Sequence, residues 1–160
     1  GHRFTADGLE HNEQGTPSSR QSDHQRQLAK RQDKLTAFDF GGDWAQIDGD
    51  GLVALVSFGS SAAAVTEAAN QLAESGVATR VISLRLLAPL QTAALAAALE
   101  GCSRVFVVEQ NHGGQLFHYL RGQLDFGQPV HSYALAGPVP LSPENIAQAV
   151  ATVIAEATRS

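Results

Sequence analysis

Residues 52–58, Leu-Val-Ala-Leu-Val-Ser-Phe, form an almost unbroken apolar run that lies between Gly51 and Gly59. A run of this length and composition is typical of a strand that is buried on both faces of a sheet. The next segment, from about Ser61 to Ser75, repeats its apolar residues at the spacing i, i+3, i+4 and i+7, which predicts a helix. Those residues are Val65, Ala68, Ala69 and Leu72. Residues 52–75 are therefore predicted to form a strand–helix unit of the kind that builds parallel sheets.

The same unit recurs along the rest of the chain. Further strands are predicted at Arg80–Leu87, Arg104–Glu109 and Val130–Leu135. Helices are predicted between and after them, at Thr92–Glu100, at Gly114–Asp125 and from Ser142, which is followed by Pro143 in the first turn. Strands that are apolar almost throughout must be covered on both faces, so the predicted fold class is α/β, a three-layer α/β/α domain.

One more strand is predicted before this series. Trp44–Ile47 alternates apolar and polar residues, and Asp48-Gly-Asp-Gly51 follows it with strong turn chemistry. We therefore expect an antiparallel hairpin of Trp44–Ile47 with Leu52–Phe58, which makes the five-stranded sheet a mixed one. The tract does not fit a calcium loop, because Val53 and Gly59 stand where such a loop needs glycine and glutamate.

The N-terminal third is much more polar. Residues 1–50 hold 15 of the 27 charged side chains, which leaves this segment little apolar surface to bury. A helix is predicted from about Asp23 to Ala37, with Ser22 as its N-cap and Gln25 completing a capping box. Its apolar face consists of little more than Leu28 and Leu35, so the helix either bridges through solvent or docks on something outside this chain.

This contrast predicts the organisation of the chain. Residues 1–43 are expected to be a linker and polar helix from the end of a preceding domain, and residues 44–160 one α/β domain. Because the first segment has so little to pack, we expect fast amide exchange across Arg3–Lys34.

Composition argues against several classes of function. The chain carries 11 Lys and Arg against 16 Asp and Glu, a net charge of −5, which disfavours binding to nucleic acid or to an anionic membrane surface. Its apolar runs are shorter than the ~20 residues that span a bilayer. The single cysteine, Cys102, provides no disulfide and no cysteine-held cluster, and no histidines stand at metal-ligating spacing. We expect a cytoplasmic fragment of a longer polypeptide.

Ligands in open α/β sheets gather where parallel strands end, so the loops after the strands are the candidate sites. The loop Gly59-Ser60-Ser61 opens a helix, whose free amides could hold an anion. It has neither a dinucleotide fingerprint nor a Walker loop, and a tight turn capped by Ser61 is the favoured interpretation.

The loop after Arg104–Glu109 is the most unusual segment of the chain. Glu109 ends the strand, Asn111 and His112 follow, and two glycines open the next helix. Two interpretations are equally open: these side chains face a cleft or a subunit interface, or Glu109 caps amides of its own loop while His112 is solvated. The candidate interface residues are Glu109, Asn111, His112, Gly113, Gly114, Gln115 and Ser60.

A carboxylate at a strand end needs hydrogen-bond donors if it is buried. The nearest donors to Glu109 are the amides of Gly113 and Gly114, at the predicted helix start. On this arrangement, Glu109→Ala costs about 1 kcal/mol, as loss of a helix cap does.

Motifs in both parts of the chain resemble one family. Phe4–Glu13, which includes Gly8-Leu-Glu-His11, is followed on the polar helix by Lys30-Arg31 and Lys34-Leu35. This combination resembles the mid-chain segment of 2-oxoacid:ferredoxin oxidoreductase alpha subunits of the 2-oxoglutarate (synthase) type. The domain that follows resembles the transketolase C-terminal domain, and the resemblance covers about residues 3–135. It rests there on Val56–Ser60, Leu84–Pro89, Val107–Asn111 and Gly113–Leu116.

The resemblance implies a role within a larger enzyme. Members of the family carry out CoA-dependent oxidative decarboxylation of a 2-oxoacid, using thiamine diphosphate, Mg²⁺ and iron–sulfur clusters, and they reduce ferredoxin. Their 2-oxoacid contacts lie in the alpha-chain domain upstream, and the cofactor sites lie in the beta subunit or in added domains. The resemblance therefore implies no catalytic, cofactor or metal residues in this fragment, a beta subunit as partner, and an inactive fragment on its own.

Two other interpretations remain. The chain could be the C-terminal domain of a transketolase-like enzyme or of a 2-oxoacid dehydrogenase beta chain, although the Glu-His and Lys-Arg motifs speak against that. It could also be a free-standing flavodoxin-like binding module, for which Gly59-Ser60-Ser61 is thin support.

Overall fold

The computed structural model describes residues 8–159. The described chain divides into two compact units, one ending at Phe40 and one beginning at Gly41. Residues 1–7 carry the start of the Phe4–Glu13 motif and part of the exchange prediction for Arg3–Lys34, and they lie outside the described residues.

The second unit alternates strands and helices. Its strands are β1 (Ala45–Asp48), β2 (Val53–Phe58), β3 (Thr79–Leu84), β4 (Arg104–Glu109) and β5 (Val130–Ala134). Its helices are α2 (Ala62–Glu74), α3 (Thr92–Leu99), α4 (Gln115–Gln123) and α5 (Pro143–Thr158), and a single 3₁₀ turn at Gly59–Ser61 precedes α2. The first unit contains the helix α1 (Gln21–Thr36).

The five strands form one sheet in the order β1-β3-β2-β4-β5. The pairs β2–β3, β2–β4 and β4–β5 are parallel, and β1 is antiparallel to β3. The prediction of a mixed five-stranded sheet in a three-layer α/β/α fold is confirmed. Because β2, β3, β4 and β5 run in parallel, their carboxyl ends lie along one edge of the sheet.

Alternate residues of the central strands pack into two apolar layers. On one face, Val56 and Val107 pack with Leu95 of α3 and Leu120 of α4. On the other face, Leu55 belongs to a layer that also contains residues of α2 and α5: Val65, Leu72, Ile146 and Val150. Burial on both faces explains why the central parts of these strands, Val53–Val56 and Val105–Val108, are apolar.

The expected hairpin is wrong, because β1 pairs with β3 and not with β2. Ile47 lies opposite Ile82, and the amides of Arg85 and Leu86 donate to the carbonyl of Trp44 at 2.8 and 3.1 Å. These two bonds hold the chain after Leu84, so β3 ends there and not at Leu87 as predicted.

The Asp-Gly tract instead brings two stretches of backbone together. A Cβ on Gly51 would lie 2.2 Å from the carbonyl carbon and oxygen of Ala78, and a Cβ on Gly49 would lie 2.4 Å from the carbonyl oxygen of Thr79. The amide of Gly51 donates to that same Thr79 oxygen at 3.2 Å. The glycines are therefore needed for close approach to the start of β3 as well as for a turn.

The predicted start of the last helix is confirmed. Ser142 precedes α5, its Oγ accepts a hydrogen bond from the amide of Asn145 at 3.3 Å, and Pro143 occupies the first turn. Ile146 and Val150 of the predicted stripe are buried.

The first unit differs from the sequence prediction at the start of its helix. α1 begins at Gln21, so Ser22 lies inside the helix, and the capping box is wrong. Ser18 acts just before the helix instead: its hydroxyl donates to Asp23 at 2.6 Å and accepts from the amide of Arg20 at 3.3 Å. Asp23 is the buried residue of α1.

Ionic contacts link the loop before α1 to the helix. The guanidinium of Arg31 donates to both oxygens of Glu10, and Arg26 lies 3.3 Å from a carboxylate oxygen of Glu13. The pKa of Glu10 is lowered to about 2, mainly by the hydrogen bonds from Arg31. The Glu-His and Lys-Arg motifs of the sequence therefore contact each other directly.

We expect the amides of α1 to exchange faster than those of β2. Leu28 and Leu35 are 49% and 51% exposed, so the helix has little buried apolar surface to resist local opening, whereas β2 is buried almost throughout. Hydrogen exchange followed by mass spectrometry, with peptides covering Gln21–Lys34 and Val53–Phe58, tests this. Equal protection of the two peptides would contradict the prediction.

Among the described residues, no helix is both long enough and apolar enough to cross a membrane.

Candidate functional site

A cleft of about 330 Å³ lies at the carboxyl edge of the sheet. It is formed where β2 and β4 end and where α4 begins. Its apolar side includes Phe58, Leu87 and Leu116, and its polar side includes Ser60, Asn111 and Gln115. Several of the predicted site residues therefore line one cleft.

Glu109 is buried in the wall of this cleft, with 3% of its surface exposed. Its carboxylate accepts hydrogen bonds from the main-chain amides of Leu116 at 2.6 Å and Phe117 at 3.0 Å. The side-chain amide of Asn111 donates to the same carboxylate. A negative charge at the N-terminus of α4 is also favoured by the helix dipole.

The predicted donors to Glu109 were wrong by three residues. The sequence pointed to the amides of Gly113 and Gly114, but Gly114 has a left-handed φ of +59° and α4 begins only at Gln115. The amides that lack a partner within the helix are therefore those of its first turn, and Glu109 takes the second and third of them.

Asn111 completes the same cap. Its side-chain oxygen accepts from the amide of Gln115 at 3.3 Å, while its nitrogen donates to Glu109. The first three amides of α4 are thus all bonded to side chains of the preceding loop. This self-capping leaves those three amides no capacity to bind an anion.

Gly114 is needed for its backbone conformation. At a φ of +59° any residue with a Cβ would be strained, and that Cβ would also lie 3.4 Å from the hydroxyl of Ser132. A Cβ on Gly113 would meet nothing within 4 Å, and both Gly113 and His112 are exposed. His112 does not line the cleft.

Ser60 lies across the cleft from this loop. It is exposed, in the 3₁₀ turn before α2. The predicted capping role of Ser61 is wrong, because its hydroxyl donates to the carbonyl of Phe58 at 2.9 Å and makes no cap bond to α2.

Tyr119 was missed by the sequence analysis. It lines the cleft, and its hydroxyl donates to the carbonyl of Leu87 in the loop after β3. The signal was available, since Tyr119 stands four residues after Gln115 and therefore on the same side of the predicted helix. Gln110 was not singled out either, and its side-chain nitrogen donates to the carbonyl of Val139 at 2.8 Å.

The residues that the structure describes do not form a site for a metal ion or an iron–sulfur cluster. Within the described range there is no group of three or more His, Cys, Asp or Glu side chains that could hold a metal. Cys102 is the one cysteine of the chain, it is buried, and burial raises the pKa of its thiol. Glu109 is already occupied by three donors.

Comparison with known proteins gives a consistent family. The family described as "Transketolase, C-terminal domain" matches residues 42–155. The chain is 33% identical over 147 residues to "2-oxoacid:ferredoxin oxidoreductase 2, subunit alpha" from Aeropyrum pernix, an alignment that covers 82% of this chain and 23% of that protein. It is 34% identical over 89 residues to 1-deoxy-D-xylulose-5-phosphate synthase from Rhodobacter capsulatus, covering 52% of this chain and 14% of that protein.

A solved structure is also similar. It is the 2-oxoglutarate:ferredoxin oxidoreductase from Magnetococcus marinus with 2-oxoglutarate, coenzyme A and succinyl-CoA bound, which is 28% identical with a TM-score of 0.73. The match covers 94% of this chain and 26% of that one. The chain thus spans about a quarter of the length of the two oxidoreductases.

Proposed function

Because this chain belongs to the family of transketolase C-terminal domains, we propose that it is the C-terminal domain of the alpha subunit of a 2-oxoacid:ferredoxin oxidoreductase. One observation carries the proposal. The match to the Magnetococcus marinus enzyme covers 94% of this chain, so it extends beyond residues 42–155 into the polar segment before them. Similarity in that segment supports this family over other enzymes that contain the same domain.

The proposed enzyme carries out CoA-dependent oxidative decarboxylation of a 2-oxoacid, with 2-oxoglutarate as the proposed substrate and ferredoxin as the electron acceptor. The 2-oxoglutarate and coenzyme A bound to the similar structure support that choice. Thiamine diphosphate, Mg²⁺ and an iron–sulfur cluster are proposed to be held by other parts of the enzyme, in the cytoplasm, with a beta subunit as partner. Within this chain, residues 1–43 are the proposed linker and residues 44–160 the proposed domain.

The role proposed for the loop around Glu109 is contact with a neighbouring domain or subunit. The carboxylate of Glu109 accepts three hydrogen bonds from α4 and its own loop, which supports a structural role for this residue. Exposed apolar side chains lie at the same ends of the strands: Phe58, Leu135 and Val139 are 41%, 40% and 70% exposed. Apolar residues with an uncharged polar rim are typical of protein interfaces.

A transketolase-like enzyme is the second candidate. The alignment with 1-deoxy-D-xylulose-5-phosphate synthase favours it, although it covers only 52% of this chain. The two candidates differ in the reaction, because only the first is proposed to reduce ferredoxin.

The experiment uses the full-length protein that contains this chain, purified with its beta subunit. We expect ferredoxin reduction that depends on both 2-oxoglutarate and CoA. The present chain alone is expected to show no activity and no calorimetric binding of thiamine diphosphate with Mg²⁺, because its sequence lacks the cofactor-binding motifs of such enzymes.

Three outcomes separate the possibilities. Reduction with a different 2-oxoacid would keep the enzyme class and change the substrate. Carbon–carbon bond formation between a 2-oxoacid and an aldehyde, with release of CO2 and without ferredoxin reduction, would favour the second candidate. Micromolar binding of thiamine diphosphate to the present chain would contradict the non-catalytic role.

A further inference from the structure

The outer edge of β5 is open. β5 is the last strand of the sheet, and in the part of the chain that the structure describes no strand pairs with its free side. An open strand edge presents unpaired main-chain donors and acceptors, which can pair with another strand.

The hydrogen bonds to β4 show which groups point outward. The amide of Val105 donates to the carbonyl of Pro129 at 3.0 Å, and the amide of Leu135 donates to the carbonyl of Glu109 at 3.2 Å. In a parallel pair, the groups that face one neighbour alternate along the strand. The odd-numbered residues of β5 therefore bond to β4, and the amides and carbonyls of Val130, Ser132 and Ala134 point to the open side.

No fixed charge protects this edge. Val130–Ala134 contains no Lys, Arg, Asp or Glu and no proline, which are the residues that usually prevent pairing at an edge. Its one histidine, His131, stacks on Phe106 with the ring centroids 4.9 Å apart, and burial, together with the nearby Arg104, lowers its pKa and so favours the uncharged form. The opposite edge differs, since β1 ends in Asp48 and Asp50 follows it.

We propose that two copies of this chain associate by antiparallel pairing of their β5 strands about a two-fold axis at Ser132. Ser132 then lies opposite Ser132 of the second copy, and Val130 lies opposite Ala134, in hydrogen-bonded pairs. His131 lies opposite Tyr133, and the exposed Leu135 lies opposite Pro129. The two five-stranded sheets become one continuous sheet.

The self-complementarity of the strand favours a second copy as the occupant. A two-fold axis through Ser132 places each residue of β5 opposite itself or opposite the residue equally far from the axis on the other side. A charge on the axis would therefore face an identical charge. β5 contains no Lys, Arg, Asp or Glu. The residues whose main-chain groups face the open side, Val130, Ser132 and Ala134, have short side chains. Because one five-residue strand buries little area, we expect weak, transient association, of the kind that interfaces below ~1,200 Å² make.

The experiment exploits the residue on the axis. The variants are Ser132→Lys and Ser132→Glu; Ser132 is exposed, and because its hydroxyl lies near Gly114 at the start of α4, association of the mixed variants serves as proof that both keep the native edge. Sedimentation equilibrium should show a monomer–dimer equilibrium for the wild-type chain and a monomer for each variant, because each places two like charges opposite one another. An equimolar mixture of the two variants should dimerise at least as tightly as the wild type.

Ser75→Lys, at another exposed serine at the end of α2, is the matched control and should leave the equilibrium unchanged. Circular dichroism and the melting temperature check that each variant is folded. A monomeric wild type at millimolar concentration would overturn the proposal. So would a dimer that Ser132→Lys does not weaken, or two monomeric variants that fail to associate when mixed.

Discussion

Glu109→Ala is expected to lower the free energy of unfolding by about 3 kcal/mol, because it removes a buried charged acceptor from two main-chain amides and from Asn111. This exceeds the cost of about 1 kcal/mol that loss of an ordinary helix cap would give. The amides of Leu116 and Phe117 lie in a part of the domain that is buried or half-buried, so water replaces the lost carboxylate poorly. Urea unfolding followed by circular dichroism measures the difference.

Glu109→Gln is the control for this prediction. The amide side chain keeps the volume and one acceptor oxygen but loses the charge, so the expected loss is about half as large. A variant Glu109→Ala as stable as the wild type would mean that the carboxylate does not hold α4.

The same substitution tests the proposed contact role in the full-length enzyme. We expect Glu109→Ala to weaken subunit association, measured by sedimentation, before it slows single-turnover decarboxylation. Intact assembly together with a collapse of decarboxylation would instead place Glu109 in the chemistry.

Gly51→Ala is expected to destabilise the domain by at least about 3 kcal/mol or to prevent folding, since overpacking against backbone cannot be relieved by a rotamer change. Its new Cβ would lie 2.2 Å from the carbonyl of Ala78 and 2.3 Å from the amide nitrogen of Thr79. Both groups lead directly into β3, so they can move only if the sheet shifts. The measurement is thermal unfolding followed by calorimetry.

Gly42→Ala provides the matched comparison. A Cβ at this position would meet nothing within 4 Å, and its φ is not in the left-handed region. We expect a change of less than ~0.5 kcal/mol, as for an ordinary surface substitution. Equal melting temperatures for the two variants would show that the close approach at Gly51 is unimportant.

The parallel part of the fold could be predicted from sequence because each strand and helix carries its own pattern of apolar residues. Val53–Val56 and Val105–Val108 are apolar throughout, and α5 combines a cap, a proline and a clear stripe. The partner of β1 could not be predicted in this way. Sequence proximity favours pairing with β2, and nothing local shows that Gly49 and Gly51 serve an approach to Thr79.

The place of Glu109 and its loop in the fold could be predicted from the sequence, but the hydrogen bonds of Glu109 could not. The position of Glu109 at a strand end followed from the apolar run before it, and Gly113-Gly114 marked the helix start. Which amides Glu109 accepts from depends on the residue at which α4 begins, and a shift of one residue there changes every donor. The contact between Tyr119 and Leu87 joins segments 32 residues apart, which no local pattern reports.

The pairing of β1 with β3 has a consequence for the order in which the chain can fold. During synthesis Ala45–Asp48 emerges before every other strand, yet its partner residues Val81–Leu84 emerge only after β2 and α2. Closing that loop costs more chain entropy than closing a tight hairpin, so the contact is favourable only once β3 is held beside β2. β1, the first strand of this sheet along the chain, is therefore expected to be added to a sheet that β2 and β3 have already begun.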